Sequence, residues 1–176
     1  MPTGPSAPPL WILGSSGEGA LLAAHFGTAF SYAHFINAEG GTEATRAYRE
    51  SFRPSPRLAA PQASVAAFVL CADTEVEAER LARCRDLFIT RLYTGRVGPF
   101  PSVEEAAAYE FSPPELAIVD QARARTVAGT PERVKARLEA LAAVYGVNEL
   151  VVVTIAHEFK ARLRSYELLA EVFGLF

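Results

Sequence analysis

Apolar positions along the chain fall into short runs separated by glycine, proline and polar punctuation. Leu10–Leu13 is a brief apolar run stopped by Gly14-Ser15-Ser16-Gly17, which predicts a strand followed by a turn. Gly19–Phe26 is dense in small and apolar residues and ends at Gly27, the pattern of a short buried helix with a glycine stop. Ala29–Phe35 is a second strand-like run. After Gly40-Gly41, Thr42 is placed to cap a helix in which Ala44, Ala47, Tyr48 and Phe52 recur at helical spacing; Pro54 and Pro56 end it near Arg53. Ser64–Cys71 is apolar on both parities, as in a strand of a parallel sheet buried on both faces. Thr74-Glu75-Val76-Glu77 has the form of a capping box and opens a helix to about Tyr93, with Ala78, Leu81, Phe88 and Leu92 on one side.

Residues 94–128 break the alternation. A Gly/Pro-rich loop leads to two helix starts, Ser102-x-x-Glu105 and Ser112-Pro113-Pro114-Glu115, and the region reads as a helical insertion. Thr130-Pro131-Glu132 starts a further helix with Val134, Leu138, Leu141, Ala142 and Tyr145 on its apolar face and Gly146 at its end. Glu149–Ala156 is the clearest strand pattern, and Arg162–Phe173 closes the chain as an amphipathic helix. Met1–Pro9 reads as a disordered lead-in, which leaves residues 10–176 as one domain. The order is strand–helix four times with one insertion before the last strand, an α/β pattern that makes a parallel sheet with right-handed crossovers. Two architectures fit: an open doubly wound sheet, or a (βα)4 half of a TIM-type barrel. A complete barrel takes about 250 residues, more than are present.

Composition narrows the function. The chain has 176 residues, half of them apolar, so it can bury a core without a disulfide or metal scaffold. A net charge of −3 with no basic block argues against nucleic acid as a partner. No apolar run approaches the roughly 20 residues of a membrane span. The opening residues lack the basic-then-apolar order of a secretory signal, so a cytoplasmic protein is expected. Cys71 and Cys84 have no metal or redox spacing and read as reduced thiols; His25, His34 and His157 are too scattered for a local metal cluster.

The best candidate for chemistry is Gly14-Ser15-Ser16-Gly17. A helix start presents unpaired backbone N–H groups and the positive end of the helix dipole, and two hydroxyls add donors, so the turn suits a phosphate. The competing reading is a tight turn with a serine cap. Sharper templates fail: there is no P-loop lysine, the glycines do not fall as G-x-G-x-x-G, and Glu18 stands where a nucleophile elbow needs its last glycine. His34, ending the second strand, and His157 with Glu158, ending the fourth, fall on the edge where parallel α/β folds bind ligands. A structural hydrogen bond is the alternative for each. His25 reads as structural, Cys71 shows no activating neighbour, and the arginines of the helices read as solvated faces.

In order along the chain, Leu10-Trp11-Ile12-Leu13-Gly14-Ser15-Ser16, Tyr48-Arg49-Glu50-Ser51-Phe52-Arg53-Pro54-Ser55, Cys71-Ala72-Asp73-Thr74, Gly129-Thr130-Pro131-Glu132 and Leu163-Arg164-Ser165-Tyr166-Glu167-Leu168-Leu169-Ala170 resemble the bacterial luciferase-like monooxygenases. That family builds eight-stranded barrels that bind reduced flavin mononucleotide (FMN) or a deazaflavin. The resemblance places this chain on the C-terminal half, strands five to eight, and implies FMN as cofactor, with deazaflavin second. It implies that Leu13, Gly14, Ser15, Ser16 and Gly17 hold the flavin phosphate, and that His34 lies near the phosphate–ribityl part. The first four strands are absent and the catalytic histidine with them, so no catalytic residue transfers to this sequence. The implied function is that of a monooxygenase half acting on a small organic substrate once its barrel is completed, by a separate N-terminal half or by a second copy. The alternatives are a non-catalytic flavin- or phosphate-binding half-barrel that self-associates, or an inactive remnant. Open edges at the first and last strands must be hidden by such pairing, or the chain relaxes into an open sheet.

Overall fold

The computed structural model describes residues 8–175. Residues 1–7 of the expected lead-in lie outside the described residues; Pro8 and Pro9 are exposed coil. The described residues form two compact units, residues 8–66 with 142–151 and residues 67–141 with 152–175.

The first unit starts with β1 (Trp11–Gly14), α1 (Gly17–Phe26), β2 (Ala29–Ala33) and α2 (Gly41–Ser51). It also holds the first residues of β3 (Ala63–Cys71) and the end of α6 (Pro131–Tyr145). β1 and β2 run parallel with Trp11 opposite Ala29 and Gly14 opposite Tyr32; β2 continues parallel to β3 with Phe30 opposite Ala63. Ala20, Ala23 and Ala24 are buried on α1, and their small side chains let the helix lie close to its neighbours. Phe30, Tyr32 and Tyr48 fill the space behind them, fully buried. The Tyr48 hydroxyl donates to Thr28 O (2.9 Å) and accepts from Gln62 N (3.1 Å), so this large ring leaves no orphan polar atom. Gly27 ends α1 with φ of 58°. A Cβ there would also collide with Arg53 O, so the stop at Gly27 is required twice over.

The second unit contains the rest of β3, then α3 (Glu75–Tyr93), α4 (Val103–Ala108), α5 (Pro113–Ala124), β4 (Thr126–Gly129), most of α6, the end of β5 (Leu150–Val153) and α7 (Phe159–Phe173). Both insertion helices begin at the expected serines. Ser102 Oγ accepts from Glu105 N (3.2 Å), and Ser112 N donates to the Glu115 carboxylate (2.8 Å). Thr74 caps α3 by accepting from Glu77 N (3.2 Å), while the Glu77 carboxylate turns to Arg80 at 2.7 Å.

Thr126–Gly129 departs from expectation. Thr126, Val127 and Ala128, placed in the insertion by their sequence, form β4 together with Gly129, parallel to β3 with Phe68 opposite Thr126 and Cys71 opposite Gly129. β5 also pairs with β3, ending at Val153 rather than Ala156. In this unit Thr154 Oγ1 donates to Val69 O (2.9 Å), and the fully buried Ser165 accepts from Cys71 N (2.9 Å).

Burial is uneven among the strands. Every residue of β2 is buried, and so is every residue of β3 after Ala63. Apolar β1 and β5 are not: Leu13 is 56% exposed and Val151 42%. Among the described residues no helix is long and apolar enough to cross a membrane.

Candidate functional site

The turn after β1 lies in the first unit. Leu13 and Gly14 end the strand, Ser15 is half-buried, Ser16 is the N-cap of α1, and Gly17 is its first residue. Ser16 has the extended backbone of an N-cap, φ −143° and ψ 166°, yet its side chain makes no capping hydrogen bond. The first-turn N–H groups of α1 therefore keep their capacity for another acceptor. A Cβ on Gly17 would meet nothing within 4 Å, so the main chain is bare on that side. A Cβ on Gly14 would stand 3.4 Å from Gly19 Cα and 3.5 Å from the Phe30 ring. Gly14 and Gly19 thus bring the helix start close against the strand end.

Two donors fix the turn from behind. Ser15 O accepts from the Tyr32 hydroxyl at 3.3 Å and from Asn37 Nδ2 at 3.5 Å. The single Tyr32 proton is shared with Glu39 O, the shorter contact at 2.8 Å. Burial, with Glu43 adding to it, raises the Tyr32 phenol above its ordinary value, so it stays protonated as a donor. His34 sits one residue past β2, half-buried, with Nδ1 3.0 Å from the Tyr145 hydroxyl. Tyr145 is buried, its ring 5.7 Å from that of Tyr32 and edge-on to His34 at 5.8 Å. The Gly14–Gly17 turn and His34 are therefore each tied to one member of a single tyrosine pair.

Sequence reasoning missed that pair. Tyr145 lies at helical spacing among leucines and valines and reads as core. The available signal is chemical: a buried tyrosine needs a partner for its hydroxyl, a leucine does not.

The other candidates belong elsewhere. His157 is exposed in the loop after β5, its Nδ1 3.2 Å from Phe100 O, in the second unit. His25 is exposed at the end of α1, 3.3 Å from an Arg53 guanidinium nitrogen. Burial, then Glu132 and Asp73, pushes the Cys71 thiol up to about 11, which keeps it inert at neutral pH. Arg85 corrects the reading of the helix arginines as solvated. It is buried, stacked 4.3 Å over the Phe68 ring, and donates to Thr126 Oγ1 at 2.9 Å. Burial, with Arg125 nearby, pulls its pKa down to about 10.

A cleft of about 280 Å³ in the second unit is lined by Arg123, Arg133 and Arg137 with Glu75 and Glu79. Its charges are matched internally. Arg123 bridges Glu79 and the buried Asp86, both at 2.6 Å; Arg133 pairs with Glu75 at 3.1 Å; Arg137 donates to Thr126 O at 2.8 Å.

Against known proteins, the sequence profile described as luciferase-like monooxygenase matches residues 1–148. The chain belongs to the luciferase-like monooxygenase family. Among its relatives, the uncharacterised protein YwcH of Bacillus subtilis (strain 168) is 46% identical over 173 residues, covering 96% of this chain and 51% of YwcH. Among solved structures, apo-MsnO8 aligns with a TM-score of 0.85 at 36% identity, over 99% of this chain and 54% of MsnO8. This luciferase-like chain therefore spans about half the length of the proteins it matches. Its fold is parallel α/β, one half of the TIM-type barrel of the family. More distant structures share the fold alone. They include the oxygenating constituent of 3,6-diketocamphane monooxygenase in complex with FMN (19% identity, TM-score 0.59) and an F420-dependent secondary alcohol dehydrogenase with an F420–acetone adduct (12%, 0.62).

Proposed function

We propose that the chain is the C-terminal half of a flavin-dependent monooxygenase and that its Gly14–Gly17 turn, flanked by Leu13 and His34, holds the phosphate of reduced FMN. The observation that carries this reading is the start of α1, where an N-cap serine in capping conformation leaves its helix uncapped beside bare glycine backbone. Backbone N–H groups, two hydroxyls and a helix dipole make a donor set suited to a dianionic phosphate. One feature opposes it: Glu18 lies in the first turn and already places a negative charge there. FMN is favoured over deazaflavin by the resemblance of the chain's last segment, Leu163–Ala170, to a flavin-dependent subgroup of the family.

Bound flavin would supply the reaction with oxygen, and this chain's residues hold its phosphate end. Bare backbone at Gly17 would admit the phosphate, Gly14 lets the helix start lie close to the strand end, Ser15 and Ser16 would donate to the phosphate, and His34 would add an imidazole beside it. The residues that act on a small organic substrate come from the first half of the barrel, so turnover requires that half closing against β1 and β5; a second copy closing there would cover the strands without supplying those residues. The partly exposed apolar residues of both strands support such closure.

Titration of the purified chain with FMN and with riboflavin, followed by flavin fluorescence, tests the phosphate site. Tight binding of FMN beside weak binding of riboflavin is the expected result. Equal affinity for the two would remove the phosphate assignment, because riboflavin lacks only that group.

A further inference from the structure

We propose that Tyr145 is a positioning residue for His34: its hydroxyl donates to His34 Nδ1 and holds the imidazole in the tautomer that carries its proton on Nε2. The proposal rests on the reading that His34 touches the cofactor, and it adds what sets that histidine's chemistry.

The hydrogen bond is 3.0 Å long and joins a buried phenol to a half-buried imidazole. A neutral imidazole has one nitrogen that donates and one that accepts, so an O–H donated to Nδ1 puts the ring proton on Nε2. Burial, reinforced by Tyr32 and Glu43, pushes the Tyr145 phenol up to about 12, so it remains an O–H donor across the neutral range. An Nε2–H is the form that donates to a phosphate or hydroxyl oxygen.

Three neighbours hold Tyr145 in place. Arg49 donates to Tyr145 O at 3.1 Å and to Gly146 O at 2.7 Å, which clamps the end of α6. Tyr32 stacks on the ring. At the start of α2, a Cβ on Gly41 would run into the Tyr145 hydroxyl and lie 2.5 Å from Tyr32 Cε1. Only glycine leaves room for this ring. The two tyrosines divide their labour: Tyr32 donates to the Ser15 turn and Tyr145 bonds His34.

The test is the ¹⁵N spectrum of the His34 imidazole in the full chain without flavin, above the pH at which the ring loses its charge. The wild type should show the Nε2–H tautomer. Tyr145→Phe keeps the ring and removes one oxygen, and it should move the population toward Nδ1–H. Tyr32→Phe, which removes no bond to His34, should leave the tautomer unchanged. An Nδ1–H tautomer in the wild type, or a spectrum indifferent to Tyr145→Phe, overturns the proposal. With FMN added, Tyr145→Phe should weaken binding by about three- to tenfold, and should have no effect in a His34→Ala background. If FMN does not bind at all, the cofactor reading fails and the tautomer alone decides the role of Tyr145.

Discussion

Helices α1 and α3 begin alike and finish the job differently. Each follows a strand and a short turn, and each has a hydroxyl residue at its N-cap. The backbones nearly coincide, with φ −143° and ψ 166° at Ser16 against −139° and 155° at Thr74. Thr74 closes its helix by accepting from Glu77 N. The Ser16 side chain makes no such bond to its own helix. Capping geometry is therefore present at both starts, and only α3 spends its hydroxyl on stability. At α1 the hydroxyl and the first-turn N–H groups keep their hydrogen-bonding capacity, beside Gly17, where a Cβ would meet nothing within 4 Å.

The comparison can be broken most sharply by exchanging losses. Ser15→Ala/Ser16→Ala should lower FMN affinity by about tenfold or more, since hydrogen bonds to a charged group are worth roughly 1.5–3 kcal/mol each. Its thermal midpoint should stay close to wild type, because no cap is lost. Thr74→Ala should do the reverse. About 1 kcal/mol of unfolding free energy should disappear, read by urea denaturation, while FMN affinity is unchanged. A third helix start, that of α5, sharpens the contrast through pH. Ser112 backbone and hydroxyl, the Tyr109 hydroxyl and Arg96 hold the Glu115 carboxyl down to about 2. A carboxylate held below its ordinary value of 4.5 contributes stability that is whole above that pH and fades as pH falls toward 2. Glu115→Gln should therefore melt lower than wild type at pH 7, with the gap closing by pH 2. The smallest effect belongs to Glu18. Its replacement by Gln removes an exposed charge from the first turn of α1 and should tighten FMN binding by about twofold.

Strand and helix positions were largely legible because apolar period and punctuation agree along most of the chain. Glycine at 27, proline at 54 and serines at 102 and 112 mark real boundaries. Thr126–Gly129 was hidden because a four-residue strand wedged between two helices shows no period of its own. Arg85 was misread because charge spacing on a helix cannot reveal that Phe68 and Thr126 cover it. Leu13–Gly17 and His34 were visible as candidates through strand ends and glycines. Tyr32, Tyr145 and Gly41 were not, since their roles depend on a meeting between residues more than a hundred positions apart.

The uneven burial of the strands bears on how the polypeptide behaves in a tube. β3 is sealed within its sheet, whereas β1 and β5 display Leu13 and Val151 and, among the described residues, β1 is joined along one side alone. A rim of this kind is adhesive. It makes self-association grow with concentration and under sulfate and other salting-out ions, and invites capture by chaperones that read extended apolar segments. A second polypeptide that covers the rim would thus act as a solubility factor before it acted as anything else, and co-expression yield becomes a quick guide to which polypeptide that is.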